Sequence, residues 1–180
     1  ISHDHTSYLG DNIEKIAFEK ASIIKQDGTV FALKETEEVV GVINSVAEKK
    51  SAEIYLLGDQ FWVEKTVYRS NSQSLIYSNN KGRIEDLELS LIGDFQVNNA
   101  SLAISACIEF ASKNGINLGE QTIRTGLKST RWDGRMELIS SNPTIILDSA
   151  HNPDSVNEMA EATKNLFSYA KVIIVLGLMK

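Results

Sequence analysis

The sequence predicts an α/β chain in two parts, with an antiparallel portion inside the first. Three observations carry that class. Residues 12–57 alternate helix-like and strand-like patterns in a β-α-β rhythm, residues 61–92 break into short strand-like runs between turn-prone segments, and residues 144–176 close the chain as another β-α-β unit. In that last unit the strands are apolar almost throughout, the pattern of a parallel sheet covered on both faces.

Each element has its own signal. Asp11 followed by Glu14 reads as a capping-box-like start, and Ile13, Ile16, Ala17, Ile23 and Ile24 supply an apolar face, predicting a helix from Asn12 to Ile24. Thr29 to Leu33 and Glu53 to Leu57 suit strands, and Glu35 to Lys49 suits an amphipathic helix carrying Val39, Val42, Ile43 and Val46. Phe61 to Arg69, Ser74 to Tyr77 and Ile84 to Ile92 are strand-like, separated by Ser70-Asn71-Ser72 and Asn79-Asn80-Lys81-Gly82, so antiparallel pairing is predicted. Helical spacing returns over Gln96 to Lys113 and, more briefly, Gly119 to Lys128. Apolar periodicity stops over Ser129 to Gly134, which predicts a linker and a boundary between parts 1–129 and 130–180. Beyond it, Arg135 to Ile139 alternates, Thr144 to Leu147 is a buried strand, Pro153 opens a helix carrying Val156, Met159, Ala160 and Phe167, and Lys171 to Leu176 is the next strand.

Composition narrows the function classes. A formal charge of −6, a pI near 5.1 and the lack of any basic run exclude nucleic acid as a partner. The single cysteine, Cys107, excludes an internal disulfide or a multi-cysteine zinc site, and its helical neighbours predict a core thiol. The apolar run Val172 to Met179 is too short to span a bilayer and Ile1 begins no signal-peptide plan, so a cytoplasmic protein without a membrane partner is expected. A start without methionine and a close on a strand-like run predict a piece of a longer protein.

Four places could carry chemistry. Asp148-Ser149-Ala150-His151-Asn152-Pro153 lies between a buried strand and a helix start, where open α/β sheets bind ligands. There Asp148 could accept from a ribose hydroxyl and His151 could donate to an oxyanion, or Asp148 or Asn152 merely caps the helix. His3-Asp4-His5 puts two imidazoles on one strand face, able to share a metal or simply to be surface histidines. Lys20 falls on the apolar stripe of its helix; its stem snorkels to solvent, or burial keeps the amine partly neutral and able to take up carbon dioxide as a carbamate. Arg131-Trp132-Asp133-Gly134-Arg135 at the linker could set a guanidinium fork on phosphate oxygens or remain solvated. Two further signals are set aside: Gly126 to Thr130 lacks the Gly-Lys of a phosphate loop, and the Asn99-Ala100-Ser101 sequon sits inside a helix.

Taken in order, five blocks resemble the folylpolyglutamate synthase and dihydrofolate synthase branch of the Mur ligase family. They are Asp4-His5 to Leu9-Gly10, Ile16 to Lys25, Gln96-Val97-Asn98-Asn99-Ala100, Arg131 to Glu137, and Asp148 to Pro153. The resemblance implies that residues 1–129 are the later portion of a central ATP-binding domain and 130–180 the start of a Rossmann-like C-terminal domain. It puts the phosphate loop before Ile1 and the rest of that last domain beyond Lys180. His5 then resembles a magnesium-holding histidine, and Lys20 a lysine that joins the metal site as a carbamate. Asn99 resembles an adenine-reading asparagine and Arg135 the hinge arginine on the nucleotide phosphates; Asp148 and His151 serve nucleotide and incoming glutamate.

The implied chemistry uses ATP and Mg2+ to join L-glutamate to a folate or dihydropteroate carboxylate, in a monomeric parent enzyme. Departures stand at His3, Ser22, Asp133 and Ser149, where the family more often has a small or apolar residue, Gly, Pro and Gly. Two rivals remain: a metal-dependent hydrolase built on His3, His5 and Asp148, and a catalytically inactive binding module.

Overall fold

A computed structural model describes residues 12–69 and 71–177. Its helices are α1 (Ile13–Ala21), α2 (Glu37–Lys49), α3 (Asp94–Lys113), α4 (Glu120–Ser129) and α5 (Pro153–Leu166). Its strands are β1 (Thr29–Ala32), β2 (Glu53–Leu56), β3 (Phe61–Arg69), β4 (Ser72–Asn79), β5 (Gly82–Leu89), β6 (Glu137–Ser141) and β7 (Thr144–Leu147). The chain forms two compact units, one of residues 1–63, 77–84 and 101–118, the other of 64–76, 85–100 and 119–180. β3, β4, β5 and α3 contribute to both.

In the first unit β1 and β2 pair in parallel, Thr29 opposite Glu53 through Ala32 opposite Leu56, joined by α2 as a β-α-β unit. α1 starts at Asn12, whose side chain accepts from the N–H groups of Glu14 (2.7 Å) and Lys15 (3.3 Å). It stops three residues earlier than the sequence predicts, because the Ser22 hydroxyl bonds the Glu19 carbonyl at 2.6 Å and tightens the last turn. Ala17 and Ala21 pack against Val39, Ile43 and Val46 of α2. Burial of Val39 and Ile43 contributes roughly 1.5–3 kcal/mol each. An aromatic chain continues this core from Tyr55 through Phe31 and Phe61 to Tyr77.

The three-stranded sheet has the order β3-β4-β5. Connections this short permit only antiparallel neighbours, as predicted. α3 differs from its predicted face: Ser101 and Ser105 are buried and Cys107 is exposed. The serines are tolerated inside because Ser105 Oγ lies 2.8 Å from the Tyr77 hydroxyl and donates to the Ser101 carbonyl at 2.9 Å.

In the second unit Arg124 anchors α4 to β5 by donating to the carbonyls of Asp86 (2.8 Å) and Glu85 (2.7 Å). Gln73, fully buried, donates from Nε2 to the carbonyls of Leu91 (2.8 Å) and Gly93 (2.9 Å), fixing the approach to α3. β6 and β7 pair antiparallel across a turn containing a cis Asn142–Pro143 bond. Here the closing pattern departs from expectation. Residues 171–177 form no strand, and Val175 is 93% exposed. A run of β-branched residues has the propensity but, among the described residues, no ladder to join, and β7 meets only β6 instead of a parallel neighbour.

Candidate functional site

The predicted linker is a pinned turn. Gly134 (φ 68°) and Met136 (φ 47°) both take the left-handed conformation, free for glycine and costly for methionine. Contacts on both sides hold it. Gly134 donates its N–H to Glu137 Oε2 at 2.8 Å and accepts from the Ser149 N–H at 2.9 Å. Met136 donates its N–H to Asp148 Oδ2 at 2.7 Å. Its side chain, 1% exposed, is buried with Ile92 and Ala162 against Phe95, Ile146 and Met159. Arg135 lies between these two fixed residues.

Sequence reasoning left open whether Asp148 or Asn152 caps the following helix. Asn152 does: its side chain accepts from the Ser155 N–H at 2.8 Å, the Ser155 hydroxyl accepts from the Asn152 N–H at 3.1 Å, and Pro153 stands in the first turn. Asp148 is thereby released for other partners, its Oδ1 accepting from the Ala150 N–H at 2.7 Å. His151 is exposed, with Nδ1 3.0 Å from the Ser149 carbonyl. That acceptor selects the Nδ1–H tautomer, so the neutral ring carries its lone pair on Nε2 and donates there only as imidazolium.

A cavity of about 300 Å³ opens beside the turn, lined by Arg131, Trp132, Asp133 and Arg135 with Asn71 and Ser90 among the residues facing them. Its lining sets two arginines, Arg131 and Arg135, beside two carboxylates, Asp133 and Glu137. Arg131 also donates to the carbonyls of Lys128 (3.2 Å) and Thr130 (2.8 Å) at the end of α4, which orients it. Asn99 belongs to the same unit; it is exposed on α3 and donates from Nδ2 to Gln96 Oε1 at 3.2 Å.

The first unit holds Lys20, which does not join the buried stripe that helical spacing predicts for it. Lys20 is exposed at the last turn of α1, since Ile16, Ala17 and Ala21 meet the core while the long lysine stem carries its ammonium to water. His3 and His5 lie outside the described residues. Among the described residues no three His, Cys, Asp or Glu side chains gather as a metal site.

Arg135 and Asp148 are thus brought together through Met136, with His151 three residues further along. The parts that sequence reasoning missed are Met136 as a buried plug, Glu137 as the acceptor closing the turn, and Gln73. The pattern Arg135 to Ile139 reads as plain alternation, and left-handed backbone at methionine has no sequence signature.

Comparison with known proteins follows the same order along the chain. The Mur ligase middle domain matches residues 1–107, and the Mur ligase glutamate ligase domain matches residues 134–180. A dihydrofolate synthase/folylpolyglutamate synthase of Bacillus subtilis (strain 168) is 32% identical over 180 residues, covering 100% of this chain and 42% of that protein. A folylpolyglutamate synthase of Lacticaseibacillus casei is 34% identical over 174 residues, covering 97% and 41%. Among solved structures, an FPGS–AMPPCP–folate complex superposes with a TM-score of 0.89 at 34% identity, covering 94% of this chain and 41% of that one. The chain spans about two fifths of the length of the curated relatives it matches.

Proposed function

Since the chain belongs to the Mur ligase family, we propose that it is part of an ATP-dependent, ADP-forming ligase that adds L-glutamate to a folate or dihydropteroate carboxylate. The observation that carries this reading is the pinned turn: Arg135 is fixed beside Asp148 at the start of the matched glutamate ligase domain. Relatives named for this synthesis, and a neighbour bound to AMPPCP and folate, support it.

In this chemistry ATP phosphorylates the pterin-bearing carboxylate, and the glutamate amine attacks the acyl phosphate to give an amide, ADP and phosphate. Arg135 offsets charge on the phosphoryl oxygens, Asn99 reads the adenine, and Asp148 and His151 serve the nucleotide and the incoming glutamate. Magnesium, when bound, supplies further neutralisation on the transferred group. His5 and a Lys20 carbamate are the residues assigned to it. Lys20 is exposed, so its assignment rests on the family resemblance and not on burial. Residues 1–129 and 130–180 are assigned to the central and C-terminal domains of a monomeric cytoplasmic enzyme.

The test uses the longer ligase that carries these residues. Lys20→Ala should lose most glutamate ligation while Lys20→Glu keeps part of it, because an anion is what the site requires. Wild-type turnover of Lys20→Ala would remove the lysine from the mechanism.

A further inference from the structure

We propose that Asn114, at the end of α3, is a self-modification site: its side-chain amide closes on the Gly115 backbone nitrogen, loses ammonia and is opened by water to aspartate and isoaspartate. The reaction needs no ligand and is independent of the ligase activity.

Asn114-Gly115 is the one Asn-Gly pair in the sequence. Ring closure needs a backbone nitrogen that can reach the carbonyl carbon of the preceding side chain, and glycine, lacking a Cβ, obstructs that approach least. Other asparagines are blocked. Asn44, Asn98, Asn99 and Asn157 stand inside helices, where the next N–H is committed to a carbonyl one turn back. Asn142 and Asn152 precede prolines, which have no N–H to lose.

The fold sets Asn114 in a glycine cap. Gly115 takes φ 65°, and the Ile116 N–H reaches back to the Ala111 carbonyl at 2.8 Å, the closure of a Schellman motif. The nucleophilic nitrogen is its loosest member, since the Gly115 N–H meets the Ser112 carbonyl only at 3.4 Å. Asn114 itself holds the Phe110 carbonyl, at 3.1 Å from its backbone N–H and 2.8 Å from Nδ2. Both residues of the pair are exposed, and no atom lies within 4 Å of the place where a Gly115 Cβ would stand, so the ring meets no obstruction. Fraying of the last turn frees the Asn114 amide from Phe110 and starts the reaction. The Gly115 nitrogen then bonds to Cγ and gives up its proton, the bond from Cγ to Nδ2 breaks, and ammonia leaves. Water opens the resulting imide at either carbonyl, giving aspartate or an isoaspartate whose backbone runs through the former side chain.

The product weakens a tie between elements of the first unit. Lys113 joins this end of α3 to the Thr29 hydroxyl on β1 and, at 3.6 Å, to Glu53 on β2. An anion at position 114 opposes the carbonyl end of the helix dipole, and the longer isoaspartyl backbone breaks the Ile116–Ala111 closure.

The experiment incubates the purified chain in warm neutral buffer and follows its proteolytic peptides by mass spectrometry, after a separation that resolves aspartate from isoaspartate. The peptide carrying Asn114 should gain the mass difference between an amide and an acid ahead of every other asparagine peptide, in two separable forms. Lys113→Ala, which loosens the end of α3, should speed the conversion by up to about fivefold, the scale of an exposed ion pair. Asn114→Gln, whose ring would be larger and slower to close, should keep its mass over the same period. Asn114→Asp should raise the unfolding equilibrium constant about two- to fivefold.

An Asn114 peptide that keeps its mass while another asparagine converts first would overturn the proposal. Aspartate formed without isoaspartate would also overturn it, because direct hydrolysis makes no ring. The unmodified chain guards against a variant that fails to fold: it should convert faster in urea than in buffer, and slower conversion on unfolding would count against fraying as the route and sink the proposal.

Discussion

Gly134 and Met136 bracket the arginine at the centre of the candidate site, and each is replaceable at a cost that can be stated. A Cβ at Gly134 meets no atom within 4 Å, so Gly134→Ala pays only the left-handed backbone penalty, about 1–2 kcal/mol. Urea unfolding should show a lower midpoint with an unchanged slope. Met136→Ala empties a fully buried position and should destabilise by about 2–5 kcal/mol in the same measurement. These two residues also mark how far a sequence speaks at this scale. Asp148 and His151 were legible because polar groups at a strand-to-helix junction have a physical use there. Met136 looked like one more member of an alternating run. Lys20 sits on the stripe by helical angle yet is exposed, because angle does not say whether a flexible stem turns outward.

Among elements, α3 is tied at its start by a cluster that links strand to helix. Lys65 Nζ meets Asp94 Oδ1 at 2.7 Å, and the Tyr68 hydroxyl donates to the same carboxylate. Partial burial alone would raise the Asp94 carboxyl, but hydrogen bonds from Lys65 and Tyr68 bring it below its ordinary value of 3.8. A depressed carboxyl stabilises the fold fully above its ordinary range and loses that contribution as pH falls through the folded value. The melting temperature should therefore drop as pH is lowered past about 4, and Asp94→Asn should flatten the curve in that window. A second check lies further along the helix, where Tyr77→Phe removes the buried bond to Ser105 and should cost about 1 kcal/mol, less in a Ser105→Ala background. The order and type of the helices and of most strands were legible from periodicity. The Lys65, Tyr68 and Asp94 cluster was not, since its members are up to 29 residues apart and no local pattern joins them.

For the whole molecule, the division of labour along the chain has a direct consequence. The sequence contains no adjacent Gly-Lys pair of the kind that holds β- and γ-phosphates in a phosphate loop. The purified 180-residue chain should release no ADP from ATP above background in a coupled assay. Which segments pack into which unit was hidden from a linear reading. Residues 64–76 and 85–100 join residues 119–180, while 77–84 and 101–118 join the start of the chain. Strands and a helix that pass from one unit to the other show unbroken periodicity across the division, so the pattern carries no mark of it.

The uncovered residues 172–176, together with Ile145 and Leu147 half exposed on β7, bear on handling the material in a tube. Apolar, β-branched surface of this kind attracts copies of itself when nothing covers it. Turbidity should rise with protein concentration and with added sulfate, which strengthens apolar association. Charged replacements at Ile173 and Val175, 77% and 93% exposed, should raise the concentration at which solutions stay clear and leave the melting temperature unchanged.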